Sequence, residues 1–173
     1  MSRVQVLTVI GDDRPGLVEE ISTAITAHQG NWLDSSTSRL AGKFAGVLTV
    51  DVPEEHEAAL LKTLGELGSL RVRAEAAAAA ADSGYGRHLS FSLVGHDRIG
   101  IVREVSQVFA RHGVNVDKLT TWTSSAPMSS DTLFHAEADL RAADGLDAAA
   151  LKADLERLSN DLIADINLDD RPD

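Results

Sequence analysis

The chain has 173 residues and no cysteine, and its 27 acidic side chains outnumber 16 basic ones, leaving a formal net charge of −11. The lack of cysteine excludes disulfides, thiolate metal centres and a thiol nucleophile. The negative balance speaks against non-specific nucleic-acid binding, which relies on Lys and Arg to neutralise phosphates, and against an anionic membrane surface. No apolar run approaches the ~20 residues of a membrane helix. The opening M-S-R-V-Q-V-L-T-V-I lacks the basic, apolar and small-residue regions of a signal peptide. A soluble cytoplasmic protein is expected.

In chain order, Val4–Ile10 is a β-rich apolar run and predicts a central strand. A helix is predicted over Pro15–His28, with Leu17, Ile21, Ala24, Ile25 and His28 on one face and Gly30 as its stop. Asn31–Leu40 reads as a Ser/Thr-rich strand with a wet face, Gly42-Lys43 as a turn, and Ala45–Val52 as the returning strand of a hairpin. Glu54–Leu67 predicts a helix whose buried stripe is Leu60, Leu61, Leu64 and Leu67. Leu70–Glu75 alternates apolar and charged residues, as a half-solvated strand does. The order is β-α-β-β-α-β.

The alanine run at 76–81 and the following D-S-G-Y-G predict a flexible linker over 77–87. The second half then repeats the first. Val9–Val18, V-I-G-D-D-R-P-G-L-V, returns at Leu93–Val102 as L-V-G-H-D-R-I-G-I-V. The offset stays constant to Asn31 and Asn115, with Glu20/Glu104, Ser22/Ser106 and His28/His112 also matching. Such a repeat makes the chain two copies of one unit, predicted as domains 1–76 and 88–170. Strands are expected over His88–Val94, Asn115–Thr123, Thr132–Leu140 and Ile163–Leu168. Helices are expected over Ile101–His112 and, capped by Asp147, through Leu151, Leu155, Leu158 and Leu162. The second hairpin connection, Ser124–Asp131, is roughly four residues longer than its counterpart. Asp169–Asp173 reads as a frayed acidic tail.

The repeated stretch lies between a strand and a helix in both copies. Gly11 and Gly95 suit a turn that a side chain would hinder. Asp13 and Asp97 are candidate helix caps, and Pro15 is tolerated in a first turn. Gly16 and Gly100 leave the backbone bare for a close ligand. Free N–H groups and the helix dipole together make an anion site there. Plainer readings stand beside these. Arg14 and Arg98 can pair with nearby Glu, and Asn31 and Asn115 can be turn residues. His28 and His112 suit helix C-termini, and Trp32 and Trp122 suit sheet or interface packing.

Two such units form an α+β protein of two ferredoxin-like βαββαβ folds, each an antiparallel sheet with both helices on one face. With G-x-D-R-x-G at the first turn and Asn opening the second strand, the sequence resembles tandem ACT domains, small regulatory modules that bind amino acids. The second hairpin, A-P-M-S-S-D-T-L-F-H-A-E-A-D-L, is similar to that of the glycine cleavage system transcriptional repressor family. The resemblance implies side-by-side pairing of units, with an amino acid held between the first turn of one and the second strand of its neighbour. By position the ligand residues it implies are Gly11, Asp12, Asp13, Arg14, Gly16 and Asn31, then Gly95, His96, Asp97, Arg98, Gly100 and Asn115. The copies depart at Asp12/His96 and Pro15/Ile99, so the two sites can differ in ligand.

The expected function is non-enzymatic: glycine or a similar amino acid sensed at a domain interface in a homodimer, with transcription affected through a protein partner such as a transcription factor. No basic recognition element for direct DNA contact is present. The alternative is a detached regulatory subunit of an amino-acid-metabolic enzyme. An enzyme would need a convergent acid, base or nucleophile set, and no P-loop, H-E-x-x-H or nucleophile elbow occurs. No metal or cofactor is expected.

Overall fold

The computed structural model describes residues 1–68, 70–78 and 84–170, and the chain divides into two compact units, Met1–Ala79 and Ala80–Asp173. Unit 1 runs β1 (Ser2–Asp12), α1 (Leu17–Ala27), β2 (Asn31–Leu40), β3 (Lys43–Pro53), α2 (Glu54–Gly65) and β4 (Arg71–Ala76). Unit 2 runs β5 (Arg87–His96), α3 (Ile101–Arg111), β6 (Asn115–Ser125), β7 (Thr132–Ala142), α4 (Ala148–Leu162) and β8 (Ala164–Asp170). Both are βαββαβ folds. Their antiparallel sheets have the strand orders β2-β3-β1-β4 and β6-β7-β5-β8, so β2, β4, β6 and β8 are edges.

Strand alternation decides which face meets the helices. In unit 1, Leu7, Val9, Phe44, Leu48 and Val50 point inward onto Leu17, Ile21 and Ile25 of α1 and Leu60 and Leu64 of α2, all buried in one core. Leu61 and Leu67 of the expected stripe are only partly buried against it. In unit 2, Leu89, Phe91 and Leu93 meet Val105, Val108 and Phe109 of α3 and Leu151 and Leu155 of α4. Phe91 and Phe109 pack edge to face, with centroids 5.0 Å apart. The unit 1 residues at these two repeat positions are Leu7 and Ile25.

Several ends differ from the sequence expectation. Helix α1 begins at Leu17, after Pro15. Its exit uses Gln29 in the left-handed region (φ 59), where unit 2 has Gly113 (φ 65). Gly30 instead lets strand β2 start close to the helix, since a Cβ there would lie 2.9 Å from Ile25 Cγ2. The first hairpin turns on Ala41 and Gly42, both at positive φ, the pattern of a tight two-residue loop. Asp147 caps α4 as expected, its Oδ1 accepting from the Ala150 N–H at 3.0 Å. Asp169 and Asp170 are not a frayed tail. They continue β8, and Asp170 accepts from Arg87 Nε at 2.8 Å. Residues 79–83 of the expected linker and 171–173 of the expected tail lie outside the described residues, and Arg87 already belongs to β5.

Candidate functional site

Each repeated stretch forms the turn that carries the chain from its sheet into its first helix. The glycine before the helix sets the geometry. Gly16 (φ 85) and Gly100 (φ 92) occupy the N-cap positions of α1 and α3 in the left-handed conformation. That conformation is costly for a residue bearing a Cβ. Among the described residues no side chain caps either helix. The first-turn N–H groups therefore meet the turn without a side-chain acceptor, at the positive end of the helix.

This arrangement corrects the reading of the aspartates as caps. The helices begin too late for Asp13 and Asp97 to reach the capping position. Instead, the Asp13 N–H donates to the Gly42 carbonyl (3.1 Å) and the Asp97 N–H to that of Thr132 (2.9 Å), tying each turn to the adjoining hairpin. Gly11 and Gly95 are also not turn residues. They lie inside β1 and β5, opposite Phe44 and Phe134. Gly95 serves close strand packing, because a Cβ there would fall 2.6 Å from that of Ala164.

The arginines fold back onto the helices they precede. Arg14 grips Glu20 through both guanidinium ends, with Nη2 to Oε2 at 2.6 Å, and Arg98 donates to Glu104 Oε2 through Nη2. The hydrogen bond from Arg14 holds the Glu20 carboxyl below its ordinary pKa. The Glu-paired alternative for the arginines is thus what the structure adopts.

Around this shared frame the two turns differ. In unit 1 the Lys43 ammonium donates to Asp12 across the β1–β3 pair, lowering the Asp12 pKa. Asp13 meets Arg39 Nε at 2.7 Å. In unit 2, His96 stands opposite Leu133, and neither His96 nor Asp97 forms an ion pair among the described residues. Ile99 is fully exposed where unit 1 has Pro15. Ile163, the C-cap of α4, is 80% exposed at φ 51.

The two asparagines lie elsewhere. Asn31 opens β2 opposite Asp51, which pairs with Val4 near the start of β1, whereas Gly11 is near its end. Seven residues at ~3.4 Å each put Asn31 roughly 24 Å from the turn of its own unit. Asn115 stands likewise opposite Arg141 and, through it, His88. The structure therefore gathers Gly16, Arg14, Asp13 and Asp12 in one turn, and Gly100, Arg98, Asp97 and His96 in the other. It does not bring either asparagine to them within a unit.

Both edge strands bulge just after the asparagine, between Trp32 and Ser35 and between Val116 and Lys118. The second bulge holds a cluster that the sequence reading missed. Asn115 Nδ2 donates to Asp117 Oδ1 at 2.6 Å, and Arg141 pairs with the same carboxylate. Partial burial pushes the Asp117 pKa up, but the bonds from Arg141 and Asn115 outweigh it and the net shift is downward. Unit 1 has Leu33 at the repeat position, so the repeat itself carried no signal for this cluster.

His28 and His112 serve the helix pairs. His28 Nδ1 meets the Ala24 carbonyl at 2.8 Å and Nε2 faces Thr63 Oγ1, whereas His112 Nε2 meets Asp154 Oδ2 at 2.7 Å. Trp32 packs partly into the core of unit 1, while Trp122 stacks on His135 on the outer sheet face of unit 2. No helix among the described residues is long and apolar enough to cross a membrane.

Comparison with known families matches the ACT domain twice, at residues 4–71 and 90–159. The chain belongs to the ACT-domain family. As a tandem ACT protein it is similar over nearly its whole length to the crystal structure of an unknown protein from Galdieria sulphuraria. That match has 26% identity and a TM-score of 0.86, covering 99% of this chain and 100% of that one. It shares its fold with a structure described provisionally as a glycine cleavage system transcriptional repressor, at 18% identity and a TM-score of 0.70, covering 100% and 99% of the two chains. A UPF0237 protein of Methanopyrus kandleri is 47% identical over 49 residues, which is 28% of this chain and 54% of that relative. The match thus spans about half the length of the curated relative.

Proposed function

We propose that this chain is a non-enzymatic sensor of a small amino acid, glycine or a close analogue, that acts on transcription through a protein partner in the cytoplasm. Its sensing modules are the domains 1–76 and 88–170, joined by the linker 77–87. One observation carries the reading: each helix after the motif starts on a left-handed glycine with no side-chain cap. An α-carboxylate suits those amides. The ammonium of the same ligand suits the carboxylates and amide oxygens of Asp12, Asp13, Asp97, Asn31 and Asn115.

Edge-strand geometry makes the asparagines relevant again. Leu40, at the end of β2, pairs with Lys43 and lies level with Asp12, while Asn31 lies at the other end. Two such edges pairing antiparallel reverse one strand against the other. The asparagine of one then comes alongside the motif turn of its neighbour. The edge strands are open to this, with all of β6 and nearly all of β2 exposed. Ligand held across that joint stabilises the paired arrangement by its differential affinity for it.

The second reading, a detached regulatory subunit of an amino-acid-metabolic enzyme, uses the same site and differs only in the partner. Calorimetric titration with glycine, serine, alanine and the other amino acids tests both. Saturable binding, weakened in Asn31→Ala or Asn115→Ala, is the expected result. Silence from every amino acid would remove the sensor reading and leave a constitutive adaptor.

A further inference from the structure

The motif turns and edge strands leave unused the sheet face turned away from the helices in each unit. The two faces carry different chemistry. In unit 1, Ile10 and Val47 are half-exposed at its centre, and Ser36, Arg71 and Arg73 complete a shallow concavity. In unit 2 the corresponding concavity is polar and acidic, lined by Ser90, Ser92, Glu137, Asp139 and Asp169 together with Lys118. Arg71 and Arg73 form no ion pair among the described residues, and neither do Glu137 and Asp169.

We propose that two copies of this chain associate face to face, the Arg71/Arg73 face of unit 1 in one copy lying on the Glu137/Asp139/Asp169 face of unit 2 in the other. The argument is charge complementarity between broad, open surfaces, which selects the partner and fixes its register. The serine side chains on the acidic face are small enough for the sheets to approach over Ile10 and Val47. Each chain carries one face of each kind, so the pairing is reciprocal. Pairing in both directions at once would satisfy both faces of each chain. Four strands ~4.8 Å apart and roughly eight residues long present about 500 Å² per face, so each pair of faces buries about 1,000 Å², enough for a specific contact. Ile10 belongs to the repeated stretch and Arg71 acts on the Asp12 carboxyl, so the pairing is measured without added amino acid, separately from ligand binding.

Charge reversal tests it on the full chain. One variant carries Arg71→Glu and Arg73→Glu, a second carries Glu137→Arg and Asp169→Arg, and circular dichroism checks that each is folded. Sedimentation velocity should show the wild type dimerising, more weakly in high salt. Each variant alone should dimerise at least about tenfold more weakly, because like charges then face each other. An equimolar mixture of the two should dimerise again, since acidic unit 1 then meets basic unit 2 and basic unit 1 meets acidic unit 2. A monomeric wild type, variants that dimerise as well as the wild type, or a mixture that stays monomeric would each overturn the proposal.

Discussion

The turns at 12–16 and 96–100 share a left-handed glycine, an uncapped helix and an Arg–Glu clasp, yet their surroundings diverge. Ion pairs to Lys43 and Arg39 tie the first turn to its hairpin. The second has His96 and a fully exposed Ile99 instead. What both copies retain is backbone geometry and the clasp that holds it. What differs is the side-chain charge around that geometry. Duplicated units thus keep the frame of the turn while the charge around it changes, and the two cores show the same division.

The largest test lies in the cores. Phe91→Ala should cost unit 2 about 3–5 kcal/mol, and Leu7→Ala should cost unit 1 about 2–5 kcal/mol. Loss of the edge-to-face pair with Phe109 adds ~0.5–1.5 kcal/mol to the first. The chain has two tryptophans, Trp32 in unit 1 and Trp122 in unit 2. Urea unfolding in the single-tryptophan backgrounds Trp122→Phe and Trp32→Phe therefore reports unit 1 and unit 2 in turn. Equal losses in the two units would show that the aromatic pair contributes nothing beyond its area.

A smaller test exchanges the helix exits. Gln29 (φ 59) and Gly113 (φ 65) hold the same position and conformation with different residues. Gln29→Gly should stabilise unit 1 by up to ~1 kcal/mol, and Gly113→Gln should destabilise unit 2 by a similar amount. Opposite signs of comparable size in the same urea assay sustain the equivalence; a loss from Gln29→Gly would break it.

The smallest effect is acid dependence at the helix pairs. The hydrogen bond from His112 holds the Asp154 carboxyl below its ordinary pKa, with Arg157 adding to the effect. A lowered acid pKa stabilises the fold fully above the unfolded value, near 4, and the contribution is lost as pH falls through the lowered one. The stability gap between wild type and Asp154→Asn should therefore close as pH falls from 6 to 3, read through Trp122. His28 faces Thr63, whose hydroxyl does not titrate there, so Thr63→Val should show no such closing through Trp32.

Much of this was legible in the sequence. The constant offset from Gly11/Gly95 to Asn31/Asn115 exposed the duplication, and period-2 and period-3.6 patterns gave strand and helix order, because burial imposes them directly. The stripe at Leu60 and Leu64 and the cap at Asp147 followed from the same rules. The start of α1 was misread because Asp13 has the chemistry of a cap, but three residues later Gly16 has the geometry. A glycine immediately before an apolar helical run was the signal available. The clasps between Arg14 and Glu20 and between Arg98 and Glu104 span a turn as well as a helix, so no helical periodicity encodes them. The Asn115–Asp117–Arg141 cluster depends on a bulge and a cross-strand register, both set by the folded sheet. The distance between each asparagine and its own motif likewise emerges only from strand direction.

The bulges in β2 and β6 also govern how the open edges grow. An uninterrupted row of backbone donors and acceptors pairs in many offsets and extends without limit, as fibrils do. Here the extra residue breaks the row near Asn31 and Asn115, so the longer unbroken ladders are Ser35–Leu40 and Lys118–Ser125. A sliding partner would meet the bulge and lose its bonds. The same kink that interrupts each strand therefore acts as a stop against runaway polymerisation, because it limits the offsets at which an added strand can pair.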